Sequence, residues 1–152
     1  MQSHPAESLR QDGQLRLLYF ITFIFVGALG NFLPLWLKDA GWTPADLGWL
    51  EATRYATVLV MPLFWGWLID RWGDAVGVLR LVSVGCFVCL APLVVSTEFI
   101  LVLLTLLCFS LFRVGQIPAM DALTLSHVRR HGGEYGRFRS WGSLGFIIGG
   151  LM

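Results

Sequence analysis

Four long apolar stretches, several with ionisable side chains deep inside them, constrain this chain more than any other feature. About 20 apolar residues are enough to cross a bilayer as a helix. A charge at the centre of such a helix costs about 2.5–3.5 kcal/mol. Glu51, Arg54, Arg113 and Asp121 would together cost on the order of 10 kcal/mol if they faced lipid. They must therefore face one another or a wet cavity, which suits a transport machine better than an anchor. Hydrophobic residues make up 56% of the chain and charged residues 14%, against roughly 45–50% and 25% in soluble domains. The sequence thus reads as an all-α, polytopic transmembrane helix bundle.

Residues 1–14 are polar, without the apolar core and cleavage site of a secretory signal, and read as a short cytoplasmic tail. Spans are expected at about 15–37, 44–69, 78–95 and 99–128, with a fifth helix at 135–152, all in one transmembrane body from residue 15 onward. In the first span, Gly27, Gly30, Asn31 and Pro34 either interrupt the helix near a substrate or serve close packing. Thr43 is placed to cap the second helix, with Pro44 at its first position. Ser96-Thr97-Glu98 leaves room only for a tight turn, and Pro118 predicts a kink in the fourth span. Gly142, Gly145, Gly149 and Gly150 line up as a small-residue ridge.

Basic residues set the orientation. Arg10, Arg16, Arg71, Arg80, Arg129, Arg130, Arg137 and Arg139 fall in or beside three connections that share one side, and Lys38 stands alone on the other. The positive-inside rule then places the N-terminus in the cytoplasm. The chain stops inside an apolar helix at Gly149-Gly150-Leu151-Met152. That ending reads as the N-terminal part of a longer protein, with a natural five-span protein as the alternative.

Little points to covalent or metal chemistry. Cys86, Cys89 and Cys108 lie in apolar runs and read as small packing residues, since redox or zinc roles need an accessible thiolate. His4, His127 and His131 read as peripheral to the spans and show no metal-ligand spacing. No phosphate-binding loop, Gly-x-Ser-x-Gly or His-Glu-x-x-His pattern occurs, so no cofactor and no enzyme are expected.

The segment Gly66-Trp67-Leu68-Ile69-Asp70-Arg71-Trp72-Gly73 resembles the signature between the second and third helices of the major facilitator superfamily. Gly66, Asp70, Arg71 and Gly73 are its matching positions, and Asp70 is expected to cap or pair with a neighbouring helix end. Three further segments, Leu33 to Asp39, Asp121 to Leu125 and Tyr135 to Phe146, resemble the subgroup that includes phenylpropionate and lactose permeases. The resemblance covers nearly the whole chain and implies about the first 4.5 helices of a 12-helix fold.

It also implies a substrate site. Asp121, in Pro118-Ala119-Met120-Asp121-Ala122, and Arg139, in Tyr135-Gly136-Arg137-Phe138-Arg139, match the acidic and basic sugar-binding positions of that subgroup. Phe146 matches its stacking tryptophan but lacks the indole N–H, which argues against a disaccharide, and Asn31 joins the set as a polar group in the first span. Spacing supports the pair: counted from a turn at Gly132-Gly133, Asp121 and Arg139 differ in depth by under about 10 Å at 1.5 Å per residue. A purely structural salt bridge is the competing role. Arg113-Val114-Gly115-Gln116 resembles the Arg-x-x-Gln of proton-coupled relatives, so Arg113 and Gln116 join Glu51 and Arg54 as a candidate charge network. Glu51 and Arg54, three residues apart, can pair on one helix face.

These readings converge on a secondary active transporter of a small organic solute, working by alternating access with proton symport, in a cell inner membrane. Its expected partners are the solute, protons, the bilayer and a C-terminal remainder, with no nucleic acid. The competing reading is a membrane scaffold or five-span remnant that does not transport.

Overall fold

The computed structural model describes residues 5–94 and 98–152, with side chains from Ser8 onward. Six α-helices follow one another: α1 (Pro5–Asp39), α2 (Pro44–Trp72), α3 (Ala75–Leu90), α4 (Phe99–Arg113), α5 (Gln116–His131) and α6 (Tyr135–Leu151). A short 3₁₀ turn, Ala91–Val94, extends α3. No strand occurs among the described residues. Among the described residues four segments are long and apolar enough to cross a membrane: Ser8–Asp39, Pro44–Trp72, Ala75–Val94 and Phe99–His131. The chain is a multi-pass, all-α membrane protein, as its apolar runs require. Apart from Glu98, the tight turn expected at Ser96-Thr97-Glu98 lies outside the described residues, as does His4.

Two compact units share these helices. One comprises Trp36–Leu123; the other joins the chain up to Leu35 with Thr124–Met152.

In the first unit, local chemistry fixes the helix ends. Asp46 N–H donates to Thr43 Oγ1 at 3.3 Å and Thr43 N–H donates to Asp46 Oδ2 at 2.9 Å, a reciprocal capping box with Pro44 at the first helical position. At its other end α2 runs past Ile69 to Trp72 and stops at Gly73, whose left-handed φ of 65° favours glycine. The Gly73 N–H closes the last turn on the Ile69 carbonyl at 2.9 Å. Capping of α3 falls to Asp74, not Asp70: Asp74 Oδ1 accepts from Gly77 N–H at 2.9 Å, and Asp70 stays exposed in the last turn of α2. Only Asp74 directly precedes the first residue of α3, where a side-chain oxygen reaches the orphan N–H groups.

Trp65, Leu68 and Ile69 of α2, Val78 and Val82 of α3, and Ala119 of α5 form the buried core of this unit. Between helices in lipid such contacts gain packing rather than release from water, so fit matters more than area. Trp42, between α1 and α2, is buried against the Phe99 ring at 4.8 Å.

The expected kink at Pro118 takes the form of a break one turn earlier, at Val114 and Gly115. Proline lacks an N–H and its ring crowds the carbonyl four residues before it, here that of Val114, so the disturbance lies upstream of the proline. The Gly115 N–H turns to the Phe112 carbonyl at 3.0 Å, which leaves the Leu111 carbonyl outside the helical ladder. Trp65 Nε1–H takes that carbonyl at 2.7 Å. A Cβ on Gly115 would meet the Trp65 ring at 2.7 Å, so the indole reaches its acceptor only because residue 115 has no side chain.

In the second unit, α1 continues unbroken through Gly27, Gly30, Asn31 and Pro34, and it starts at Pro5, inside the polar N-terminal stretch. Of the two readings of its glycines, close packing holds at Gly27. A Cβ there would lie 2.5 Å from the Phe146 carbonyl oxygen and 2.9 Å from Gly150 N. The α6 ridge answers from the other side: Cβ atoms on Gly145 and Gly149 would collide with the carbonyls of Phe20 and Ile24, and one on Gly142 would press on the Phe23 ring. Backbones that approach this closely admit only glycine. The α5–α6 connection turns at Gly132 and Gly133, with φ of 79° and 110°, where the sequence places it.

Candidate functional site

The charges that first set this chain apart gather in the unit of residues 36–123. Glu51, Arg54, Tyr55 and Val58 of α2, with Ser110 and Arg113 of α4 and Val114 after it, line a cleft of about 100 Å³. That is room for several water molecules. Glu51 and Arg54 form the ion pair that their three-residue spacing predicts. Thr57 Oγ1–H donates to the Arg54 carbonyl at 2.7 Å, tying the next turn of α2. Arg113, half-buried, is the last residue of α4 and stands at the break before α5. Among the described residues no ion pair joins Arg113 to a carboxylate, because Glu51 is taken by Arg54. Two guanidinium groups and one carboxylate leave the cleft with an excess positive charge, which an anionic or hydrogen-bond-accepting group would offset. Gln116 begins α5, half-buried.

The other expected site residues are distributed as follows. Asp121 is half-buried on α5 in this same unit, and Arg139 lies exposed on α6 in the other. Arg139 Nη1–H donates to the Tyr135 hydroxyl at 3.1 Å, one turn earlier. Phe146 is 50% exposed, so its ring offers an open apolar face. Asn31 Nδ2–H donates to the Gly150 carbonyl at 2.7 Å, which binds α1 to α6 and leaves the amide oxygen as the group for another partner. In the motif that closes α2, Gly66 is half-buried and Arg71 is exposed, its guanidinium lying over the Trp67 ring at 5.7 Å.

One polar cluster escaped the sequence reading. His127 is not peripheral: it lies inside α5, nearly buried, with Nε2 2.5 Å from Asp12 Oδ1. Arg16 Nη2 approaches the other Asp12 oxygen at 3.6 Å, and its guanidinium lies 5.7 Å from the Phe138 ring. These contacts join the first turns of α1 to α5 and α6 within one unit, and they explain why the helix extends into the polar N-terminal stretch. Asp12 and Arg16, four apart on α1, were the available signal. Among the described residues no group of three histidine, cysteine or acidic side chains could hold a metal ion.

The sequence model described as the MFS_1 like family matches residues 13–151. Maltose permease of Geobacillus stearothermophilus is 34% identical over 135 residues, covering 87% of this chain and 34% of that protein. Sucrose permease of Escherichia coli is 29% identical over 141 residues, covering 88% of this chain and 34% of that protein. A protein of Escherichia coli (strain K12) named "Probable 3-phenylpropionic acid transporter" is 25% identical over 144 residues, covering 95% of this chain and 38% of that protein. The chain thus spans about a third of the length of these relatives. No solved structure matches it. With residues 13–151 under the family's pattern, the chain belongs to the MFS_1 like family of major facilitator transporters.

Proposed function

We propose that this chain is the N-terminal part of a secondary transporter of a cell inner membrane, which moves a small organic solute by alternating access and proton symport. The observation that carries the reading is the cleft in which Arg113 stands beside an already neutralised Glu51–Arg54 pair. A cation there is expensive unless water or an anionic or hydroxyl-bearing ligand shares the space. Arg113 would hold such a ligand, and Gln116 and Glu51 would adjust the polarity around it as the cleft opens to one side and then the other. Asp121, Arg139 and Phe146, by their motif positions, and the amide oxygen of Asn31, as a polar group of the first span, would add solute contacts. The relatives are named for maltose, sucrose and an aromatic acid. A carboxylate or ring hydroxyls would satisfy Arg113.

The test is uptake by the transporter, extended to the length of its relatives and reconstituted in liposomes, with maltose, sucrose and 3-phenylpropionate as solutes. Saturable uptake of one of them under an inward proton gradient is expected, with a loss of at least about tenfold in Arg113→Gln at equal abundance. Uptake that survives collapse of the gradient rejects symport. Full activity in Arg113→Gln rejects the cleft as the solute site.

A further inference from the structure

The three cysteines belong to the hairpin formed by α3 and α4, and the helix register brings two of them together. Cys89 Sγ of α3 lies 2.9 Å from Cys108 Sγ of α4. Neighbouring contacts fix this register independently. The Phe112 ring fills the space over Gly85, and Cys86 Sγ lies 4.0 Å from the Phe109 carbonyl oxygen. From Gly85 through Cys86 to Cys89 the partners run backward from Phe112 through Phe109 to Cys108, as two antiparallel helices in one register require. The pair is therefore set by backbone packing, and the Cys-x-x-Cys spacing of Cys86 and Cys89 does not define it. A disulfide has an S–S distance of about 2.05 Å, so the two sulfurs are within about an ångström of bonding distance.

We propose that Cys89 and Cys108 are a redox modification site, oxidised to a disulfide by a quinone dissolved in the bilayer. Both thiols sit on apolar membrane-crossing helices and are half-buried. Charged or water-bound oxidants reach such thiols poorly, whereas a quinone partitions into the same hydrocarbon. One sulfur adds to the quinone, forming a C–S bond. The second sulfur attacks the first, the S–S bond forms, and the C–S bond breaks. The two S–H protons and two electrons leave with the quinone as hydroquinone. The product staples α3 to α4 and fixes the stretch of α4 that carries Ser110 and Arg113 into the cleft.

The experiment uses membranes that contain the intact chain, treated with a short-chain ubiquinone analogue. Remaining thiols are then counted by attachment of a polyethylene glycol maleimide under denaturing conditions. The chain has three cysteines; oxidation is expected to remove two of the three labels, with full recovery after dithiothreitol. Mass spectrometry of the digested wild-type protein should find the peptides of Cys89 and Cys108 joined, a result that does not depend on any variant's folding. Cys86→Ser should keep the loss of two labels, and Cys89→Ser and Cys108→Ser should each abolish it. Three labels after quinone treatment, or a link that involves Cys86 or a second chain, overturns the proposal.

Discussion

At the scale of single residues, Pro118 acts on Trp65 without touching it in sequence. Its missing N–H moves the helix break to Val114 and Gly115, the break releases the Leu111 carbonyl, and Trp65 Nε1–H closes the account at 2.7 Å. Trp65→Phe deletes the donor and the five-membered part of the indole, so a part-buried carbonyl loses its partner and a core residue loses some packing, at a cost of at least about 1–3 kcal/mol. Thermal unfolding in detergent measures it, and an unchanged midpoint would show that water replaces the indole. The Asp12–His127 contact obeys the same rule from another direction. Asp12→Ala removes the acceptor of a nearly buried imidazole, with a similar expected cost of about 1–3 kcal/mol. The solute contacts proposed for Asp121 and Arg139 are also separable one residue at a time. Asp121→Asn and Arg139→Gln should each weaken solute affinity by at least about tenfold at unchanged abundance, and equilibrium binding with unaltered affinity in either variant removes that residue from the site.

At the scale of elements, the contact of α1 with α6 offers a comparison within a single helix. Gly27 faces the backbone of α6, whereas nothing lies within 4 Å of a Cβ built on Gly30. Gly27→Ala should therefore destabilise the protein by about 1–3 kcal/mol through overpacking. Gly30→Ala should stabilise it by roughly 0.5–1 kcal/mol, because alanine loses less backbone freedom in a helix. Size-exclusion profiles after heating rank the two variants, and equal melting would mean that α1 and α6 do not pack through glycine. This ridge was legible as a pattern of small residues, as were the Thr43 cap with Pro44 and the turn at Gly132 and Gly133, whereas α2 runs three residues past the expected end at Ile69. Those signals are local, each fixed by the few residues that form it. The Glu51–Arg54 pair was legible for the same reason, since a helix brings residues three apart to one face. The Asp12–His127 contact and the closeness of Cys89 to Cys108 were not, because each depends on how distant helices are rotated and offset. The α4–α5 break was half legible: the sequence identifies the proline, but its effect falls on the carbonyl four residues upstream.

At the scale of the whole molecule, orientation in the membrane follows from which helix ends carry charge. Arg10 and Arg16 lie near the start of α1, Arg71 ends α2, Arg80 lies in the early turns of α3, Arg129 and Arg130 end α5, and Arg137 and Arg139 open α6. Lys38 alone marks the end of α1. On the topology expected from the sequence, in which each successive span reverses direction, the eight arginines would share one side of the membrane and the lysine would take the other. The side with the excess of basic residues remains cytoplasmic during insertion, and acidic residues contribute little to this choice. The prediction uses two exposed positions, Asp39 and Glu134, each changed to cysteine after Cys86, Cys89 and Cys108 have been replaced by serine. In intact cells a membrane-impermeant maleimide should label Asp39→Cys at once and reach Glu134→Cys only after permeabilisation. Both lie beside helix ends and neither substitution removes a basic residue, so the charge balance that directs insertion is preserved. Labelling in the reverse order would place the eight arginines outside and with them the α2–α3 connection of the Gly66 to Gly73 motif, and the positive-inside argument for this chain would fail.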